Sequence, residues 1–241
     1  MSERRPLRRR RTRSVAWVIG VALLLVGGPA AASAGGEEEE EFPGCAQEVA
    51  LQVQQHYEGV RDLQAEFSQS THNAVLGDVP GAGAPARGRV VFAKPGRMRW
   101  VYESPEPSLV VSDGETLWIY DPAMKEVQVL SVDAGFLSGT AIQFLLGEGK
   151  ILESFDVDSE SCEGDEVSLD LRPKQMASYE RLRLRVERAS GAILATTVFD
   201  LFGNRTEVVF EKMQRNRAPD PALFRFEPSE DDRVLRLPQQ E

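Results

Sequence analysis

The stretch "GETLWIYDPAMKEVQVLS", Gly114 to Ser131, contains two runs in which apolar and polar side chains alternate, separated by the turn-forming pair Asp121-Pro122. Alternation with a period of two is typical of a β-strand that buries one face. The preceding Asp113-Gly114 pair is a signal for a β-hairpin. The stretch therefore predicts paired antiparallel strands, and it contains no histidine, cysteine or serine beside a base that could perform chemistry.

Similar short alternating runs continue on both sides of this stretch. Two segments instead have helical spacing: residues 45–59, where Val49, Val53 and Tyr57 recur every four positions, and the very apolar 134–149, "AGFLSGTAIQFLLGEG". The sequence thus predicts a mainly β protein, a single curled antiparallel sheet of about eleven strands that forms an open, unclosed barrel covered by short α-helices. The predicted strands are 62–70, 88–93, 97–103, 108–112, 115–120, 126–131, 151–157, 166–171, 180–187, 193–201 and 207–212.

One face of this sheet is expected to be apolar and only partly covered, because the two helices are short for such an area. The opposite face carries Arg97 and Arg99 and is therefore expected to be exposed to water. A half-covered concave sheet is a container for an apolar ligand, whereas an ordinary filled core is the alternative interpretation of the same aromatic residues. The expected cavity lining is Phe67, Val90, Phe92, Met98, Trp100, Tyr102, Trp118 and Tyr120, with Ile142, Phe144, Leu145 and Leu146 from the covering helix.

The first 34 residues have the composition of a secretory signal peptide. An arginine-rich run, Arg4 to Arg13, precedes an apolar stretch of twelve residues, Val15 to Val26, and small residues end at Ala34. Twelve apolar residues are short of the ~20 that span a bilayer as a helix. We expect cleavage after Ala34 and export to the periplasm, by either the general or the twin-arginine route.

The charge of the chain disfavours a nucleic-acid partner. The full chain has a formal net charge of −10, and without residues 1–34, which hold seven arginines and one glutamate, it has 21 basic and 37 acidic residues, or −16. An anionic membrane would also repel the protein, so contact with lipid must use apolar surface. Residues 35–44, with five glutamates from Glu37 to Glu41, predict an acidic disordered tail before a domain at 45–241.

The two cysteines, Cys45 and Cys162, lie 117 residues apart. In an exported protein such a pair favours a disulfide over a metal site.

No catalytic or metal-binding motif is evident in the sequence. His56 and His72 lack cysteine or carboxylate partners at metal-ligand spacing and are expected to be surface residues. Residues 156–166, "DVDSESCEGDE", begin with acids two positions apart, Asp156, Asp158 and Glu160. Ser161 stands where a calcium-binding EF-hand loop requires glycine, so a charged hairpin is favoured. We expect neither an enzyme nor a cofactor.

The segment "VVFAKPGRMRWVYESPEPSLVVSDGETLWIYDPAMKEVQV", Val90 to Val129, closely resembles the periplasmic outer-membrane lipoprotein carrier proteins (LolA). In that family a strand ending in a basic residue and proline precedes an F/M-x-W strand and a V-S-D-G-x-T-L-W-x-Y-x-P hairpin. "LQAEFSQ", "GTAIQFLLG" and "DPALFRFEPSEDDRV" resemble its first strand, lid segment and closing segment.

The resemblance implies a monomeric chaperone that holds the acyl chains of lipoproteins between the sheet and a helical lid. It implies loading by an inner-membrane lipoprotein-releasing ABC transporter and delivery to an outer-membrane lipoprotein acceptor. Members usually carry an arginine before the turn proline, where it holds the lid closed; Lys94 takes that place here and predicts a weaker latch. The alternative is a lipid- or lipoprotein-sensing domain like the envelope-stress regulators of the same fold.

Overall fold

The computed structural model describes residues 44–74, 84–132 and 150–236, and within them twelve strands form one sheet. A helix precedes the strands, a short helical turn precedes the seventh strand, and a 3-10 turn lies between the last two. The bounds are α1 Cys45–Glu58, β1 Asp62–His72, β2 Ala86–Ala93, β3 Arg97–Ser104, β4 Ser108–Asp113, β5 Thr116–Asp121, β6 Glu126–Ser131, α2 Ile151–Ser154, β7 Phe155–Asp158, β8 Glu166–Pro173, β9 Tyr179–Glu187, β10 Ala192–Asp200, β11 Arg205–Arg215, η1 Pro221–Phe224 and β12 Arg233–Arg236.

Two antiparallel meanders, β1 to β6 and β7 to β11, join where β1 pairs with β11. The strand order is β12-β6-β5-β4-β3-β2-β1-β11-β10-β9-β8-β7, so β12 and β7 are the two edges and the sheet does not close. Strand β12 pairs in parallel with β6, held by the ion pair of Arg233 with Glu126. The predicted unclosed β fold is confirmed, with a parallel edge strand that alternation over four residues did not reveal.

The prediction for residues 151–157 was wrong in its first half. Ile151–Ser154 is one helical turn, α2, and the strand begins only at Phe155. The backbone amide of Ile151 donates to Gln54 Oε1 on α1, at 3.1 Å, and the Ile151 side chain is buried. This tertiary contact with α1 stabilises a turn that alternation alone does not predict.

Helix α1 packs on the concave face over the β7 to β10 part of the sheet and ends, as predicted, before Gly59. Its buried face is Ala46, Val49, Ala50, Val53 and Tyr57. The contact with the β9–β10 turn is close: a Cβ on Gly191, whose φ is +74°, would lie 2.7 Å from the carbonyl oxygen of Gln52. Glycine is required there for both reasons.

The disulfide between Cys45 and Cys162 is present, which confirms the predicted pairing. It joins the first residue of α1 to the connection between β7 and β8. That connection links two antiparallel strands, as the predicted charged hairpin requires. Among the described helices, none is long and apolar enough to cross a membrane.

The face that carries Arg97 and Arg99 is not simply exposed to water, as the alternation had suggested. The chain after β11 returns across it, and Phe224 of η1 is buried there with 1% of its surface exposed. The guanidinium of Arg97 lies 5.3 Å from the centre of the Phe224 ring, and Arg99 donates to the carbonyl oxygen of Leu223 at 3.1 Å. This outer face therefore carries a second, smaller apolar contact.

Candidate functional site

A cluster of aromatic side chains occupies the centre of the concave face. The ring of Trp100 lies 4.8 Å from Phe67, 5.6 Å from Phe92 and 6.4 Å from Phe210 between ring centres, and the Phe67 ring lies 5.0 Å from Tyr102. Edge-on and tilted contacts at these distances are the favoured geometry for aromatic pairs. We call these five residues the aromatic cluster.

Strand register explains why these side chains meet. Residues directly opposite each other in an antiparallel pair point to the same face, and Val90 lies opposite Trp100 while Phe92 lies opposite Met98. Gly88 lies opposite both Phe67 and Tyr102. A Cβ at Gly88 would lie 1.9 Å from the Val101 carbonyl oxygen and 3.0 Å from the Phe67 ring, so this glycine makes room for the cluster.

The structure brings together six of the predicted lining residues on the concave face: Phe67, Val90, Phe92, Met98, Trp100 and Tyr102. The sequence analysis missed Phe210, which lies directly opposite Phe67 on β11. Its signal was present, since Val208 and Phe210 alternate in a predicted strand, but only the pairing of β1 with β11 places it beside Trp100.

A strip of partly buried apolar side chains continues from the cluster toward the β6 side: Val110, Ile119, Leu130 and Val132. Register places Val110 opposite Trp100 and Ile119 opposite Val110. Tyr102 is also only partly buried, and its hydroxyl donates to Gln69 Oε1 at 3.0 Å. Burial raises the pKa of Tyr102, so this hydroxyl stays protonated and remains a donor.

Trp118 and Tyr120 do not line this surface, and the prediction that they do was wrong. Trp118 lies opposite Val111, which lies opposite Arg99, so all three belong to the outer face. The ring of Tyr120 contacts that of Phe226, beyond η1, in a tilted arrangement with 5.3 Å between ring centres. Both sets of alternate side chains on β5 are apolar, and therefore alternation could not decide which set faces inward; Leu117 and Ile119 do.

The four remaining predicted lining residues, Ile142, Phe144, Leu145 and Leu146, lie outside the described residues.

Lys94 contacts α1. Its ammonium donates to the carbonyl oxygen of Tyr57, at 2.6 Å, and its backbone amide donates to the carbonyl oxygen of Arg61 at 2.9 Å. Desolvation by burial lowers the pKa of Lys94, and the nearby charge of Glu58 partly offsets this effect. The contact joins the β2–β3 turn to the last turn of the helix.

Three further contacts fix the same end of α1. The Tyr57 hydroxyl accepts from the backbone amide of Ile193 at 3.1 Å, and burial raises its pKa to about 12. His56 Nδ1 lies 2.6 Å from the carbonyl oxygen of Ser190 and His56 Nε2 lies 2.6 Å from an Arg215 Nη1 atom. The ring is therefore neutral, donating from Nδ1 and accepting at Nε2. His56 thus lies half-buried at the surface, with both ring nitrogens in hydrogen bonds.

Acidic, histidine and cysteine side chains do not assemble into a metal site: within 44–74, 84–132 and 150–236, no three of them could hold one ion. The buried acid Asp62 instead accepts from the backbone amides of Arg217 and Ala218, at 2.7 and 3.2 Å. Its role is structural, since it holds the chain where it leaves β11.

Comparison with known proteins gives one family and many relatives. Residues 58–227 match the model of the family described as outer membrane lipoprotein carrier protein LolA. An outer-membrane lipoprotein carrier protein of Chromobacterium violaceum is 33% identical over 187 residues, covering 77% of this chain and 86% of that protein. One from Dechloromonas aromatica is 34% identical over 179 residues, covering 73% and 82%. Among solved structures, an uncharacterized conserved protein from Thermus thermophilus is 15% identical with a TM-score of 0.49, covering 80% of this chain and all of that one.

Proposed function

The chain belongs to the family of the outer membrane lipoprotein carrier protein LolA, and we propose that it is a periplasmic chaperone for lipoproteins. It binds the acyl chains of a lipoprotein in an apolar hollow on the concave face and carries them from the inner to the outer membrane. No step of this activity requires a covalent reaction.

The aromatic cluster is the observation that supports this proposal most. It lies on the inner face of a sheet that does not close, and a strip of partly buried apolar side chains leads away from it toward one edge. A strip of this kind offers hydrocarbon a surface that the chain itself covers only in part. Broad aromatic rings provide walls along which flexible acyl chains can slide without losing contact.

The energies involved favour shallow binding. Each buried methylene contributes about 0.8 kcal/mol, so full burial of several acyl chains would amount to tens of kcal/mol. Measured non-covalent affinities do not exceed about −20 kcal/mol, and a carrier must also release its cargo. In the state described here Trp100 is 7% exposed, so an acyl chain must displace apolar contacts as it enters. That displacement offsets part of the binding energy and makes release possible.

Helix α1 is the fixed part of the cover in this proposal. The disulfide holds its first turn, and Lys94, His56 and Tyr57 hold its last. The moving part is then the 137–147 segment, whose Ile142, Phe144, Leu145 and Leu146 would leave the concave face on loading. Lys94 is a latch on α1 in this scheme, and the acyl chains contact the aromatic cluster with Val90 and Met98.

The proposed partners follow from the same function. They are acylated lipoproteins, an inner-membrane lipoprotein-releasing ABC transporter that loads the carrier, and an outer-membrane lipoprotein acceptor that unloads it. The protein works as a monomer, because acyl chains and not a second copy cover its hollow. Residues 1–34 are a signal peptide removed after Ala34, 35–44 an acidic tail, and 45–241 the carrier domain; the Cys45–Cys162 disulfide fits an oxidising compartment.

Native mass spectrometry of protein purified from an envelope fraction tests the function. We expect a co-purifying triacylated polypeptide, whereas a bare lipid in its place would favour the sensing function. A photo-reactive phenylalanine analogue at Ile119 should cross-link to that polypeptide. The same analogue at Trp118 is the matched control, since Trp118 directly precedes Ile119 on the same strand and faces the opposite side. Equal cross-linking at both positions would contradict the proposed site.

A further inference from the structure

The most exposed large apolar side chains gather at one end of the sheet. Among the described residues, Met176, Phe202, Met124 and Leu201 are 103%, 84%, 67% and 64% exposed, whereas the other exposed large apolar residues reach only 37–38%. Strand pairing brings their three turns to the same end, because Asp121 lies opposite Glu126 and Asp200 opposite Tyr179. In the strand order β5 and β10 are six strands apart, so Met124 stands far from the β10–β11 turn, whereas Leu201 and Phe202 are adjacent in it. Single exposed apolar residues are common on protein surfaces, but two adjacent large ones on one turn are less so.

Leu201 and Phe202 are adjacent in the β10–β11 turn, and the chain holds that turn firmly. The carboxylate of Asp200 accepts from the backbone amides of Phe202 and Asn204, at 2.8 and 2.9 Å, and from Asn204 Nδ2 at 2.7 Å. These hydrogen bonds lower the pKa of Asp200, the side-chain bond from Asn204 most of all. Asn204 Oδ1 also accepts from the backbone amide of Ala74, at 3.0 Å.

None of these bonds uses the side chains of Leu201 or Phe202. Backbone amides, Asp200 and Asn204 make the turn, and Gly203 supplies the positive φ of +82° that it needs. The fold would therefore accept polar residues at 201 and 202. Two large apolar side chains are instead displayed on a rigid support, which lowers the entropy lost when they bind something.

The size and shape of this tip favour a lipid surface over a protein partner. A stable protein interface buries about 800 Å² on each side, whereas one phenylalanine and one leucine offer at most a few hundred. The two side chains also stand largely exposed on one turn between two strands, which by itself does not form a groove. A bilayer interface yields around a protruding side chain, and burial of two such residues gives a weak, reversible attachment.

The charge of the chain selects the type of lipid. Without residues 1–34 its net charge is −16, from 21 basic and 37 acidic residues, which opposes approach to an anionic membrane. Near the tip, the Arg181 guanidinium lies 3.5 Å from the centre of the Phe199 ring and pairs with Asp170 at 2.7 Å. Arg205 stands beside the anion Asp200 of the turn and two residues before Glu207, so the described cations here are matched by anions. Attachment through the tip would thus depend on apolar contact and change little with salt.

We propose that the β10–β11 turn, through Leu201 and Phe202, is a membrane-contacting tip that inserts shallowly into a zwitterionic bilayer surface. The tip is separate from the aromatic cluster, because His72, the partner of Arg205 at the base of the turn, lies five positions along β1 from Phe67. At a rise of ~3.3 Å per residue this is roughly 17 Å. The tip would therefore contact a membrane close to the hollow, although it does not line the hollow.

Sedimentation of the mature, disulfide-bonded protein with pure phosphatidylcholine vesicles tests this proposal. We expect measurable binding that is unchanged between 0.1 and 0.5 M NaCl and weaker with phosphatidylglycerol vesicles, conditions chosen around the Debye length of ~10 Å at 0.1 M. Leu201→Ser/Phe202→Ser should lower the partition coefficient about 10-fold to 100-fold. Leu51→Ser, which removes an exposed leucine from α1, should leave it unchanged.

A second measurement places the tip in the bilayer. Tryptophan introduced by Phe202→Trp should be quenched by brominated phosphatidylcholine, whereas tryptophan introduced by Leu51→Trp should not. The proposal is overturned if the unchanged protein does not bind phosphatidylcholine vesicles, or if the double variant binds them equally well. It is also overturned if light scattering shows a dimer that the double variant abolishes, because a second copy would then cover the tip.

The same samples separate this proposal from the carrier function. We expect the double variant to retain its co-purifying triacylated polypeptide in native mass spectrometry, since the tip lies outside the hollow. Absence of that polypeptide from the unchanged protein would count against the carrier function and leave the vesicle result standing.

Discussion

The side-chain ammonium of Lys94 donates a 2.6 Å hydrogen bond to the carbonyl oxygen of Tyr57, in the last turn of α1. This bond joins the turn after β2 to the helix that covers part of the concave face. The same carbonyl also accepts from the backbone amide of Val60, at 3.2 Å, just beyond the helix. Lys94 therefore adds a second hydrogen bond there, and its charge meets the favourable end of the helix dipole.

Removal of this charge should loosen α1. Lys94→Met keeps the length of the side chain but not its donor, and we expect it to lower the free energy of unfolding by about 1–2 kcal/mol. Amide hydrogen exchange should accelerate in the last turn of α1 and not in its first, which the disulfide holds. Lys94→Arg is the control that retains a donor. A uniform acceleration along α1 in Lys94→Met would contradict the assignment of the latch.

The histidine at the same end of α1 should make stability depend on pH. Desolvation lowers the pKa of His56 below its ordinary value of 6.5, and the charge of Arg215 acts in the same direction, while the bond to the Ser190 carbonyl opposes both. Below pH 6.5 the unfolded chain therefore binds a proton that the folded protein resists. The stability contributed by neutral His56 is present above pH 6.5 and is lost as the pH falls through the folded pKa.

Urea unfolding between pH 5 and 7.5, a range around the ordinary histidine pKa, measures this effect. We expect the stability of the unchanged protein to decrease toward pH 5 and that of His56→Gln to decrease less. A matching slope in both proteins would assign the dependence to other groups.

The disulfide should stabilise the fold and keep α1 in place during loading. Cys45→Ala/Cys162→Ala should lower the free energy of unfolding by about 2–4 kcal/mol, as is typical for a bridge across a long loop. In the bridged protein, hydrogen exchange in α1 should stay slow when a lipoprotein binds. Faster exchange in both α1 and the 137–147 segment on loading would show that α1 moves as well.

The two tryptophans of the mature chain lie on opposite faces, and this makes them a matched pair of reporters. Trp100 belongs to the aromatic cluster, whereas Trp118 lies on the outer face. Loading should therefore change the fluorescence of Trp118→Phe, which retains Trp100. The signal of Trp100→Phe, which retains Trp118, should stay constant. The reverse result would place the acyl chains on the outer face.

The closing segment should depend on a single buried ring. Phe224 is 1% exposed while its neighbour Leu223 is 37% exposed. Phe224→Ala should cost about 3–5 kcal/mol, as large-to-small changes in a core do, and should accelerate hydrogen exchange in β12. Leu223→Ala is the matched control and should cost under about 1 kcal/mol. Equal losses would show that Phe224 does not anchor the segment.

Much of the fold could be predicted because its signals are local. Alternation and turn residues located eleven of the strands to within a few residues. Apolar residues that recur every four positions located α1. The failures have a common cause. Residues 151–154 form a helical turn because they contact α1, and β12 forms because β6 offers it an edge. Neither segment is long enough to carry its own periodic signal.

In the candidate site too, local sequence signals predicted some features and tertiary pairing decided the others. The predicted lining side chains on β2 and β3 do share the inner face, because on each strand the other alternate set carries two arginines. On β5 both sets are apolar, so Trp118 and Tyr120 were placed on the wrong face. Phe210 was omitted because its neighbour Phe67 lies 143 residues away in sequence, and only the pairing of β1 with β11 brings them together.

The sequence by itself determined that this chain is an exported, mainly β protein with one disulfide and a family-specific hairpin, because alternation, charge and cysteine content do not depend on how distant segments are placed in the fold. Only the tertiary structure decided which face of β5 is inward, which helix Lys94 holds and where the exposed leucine and phenylalanine stand relative to the hollow. These depend on register between distant strands. A shift of one residue in register exchanges the two faces of a strand without altering its own pattern.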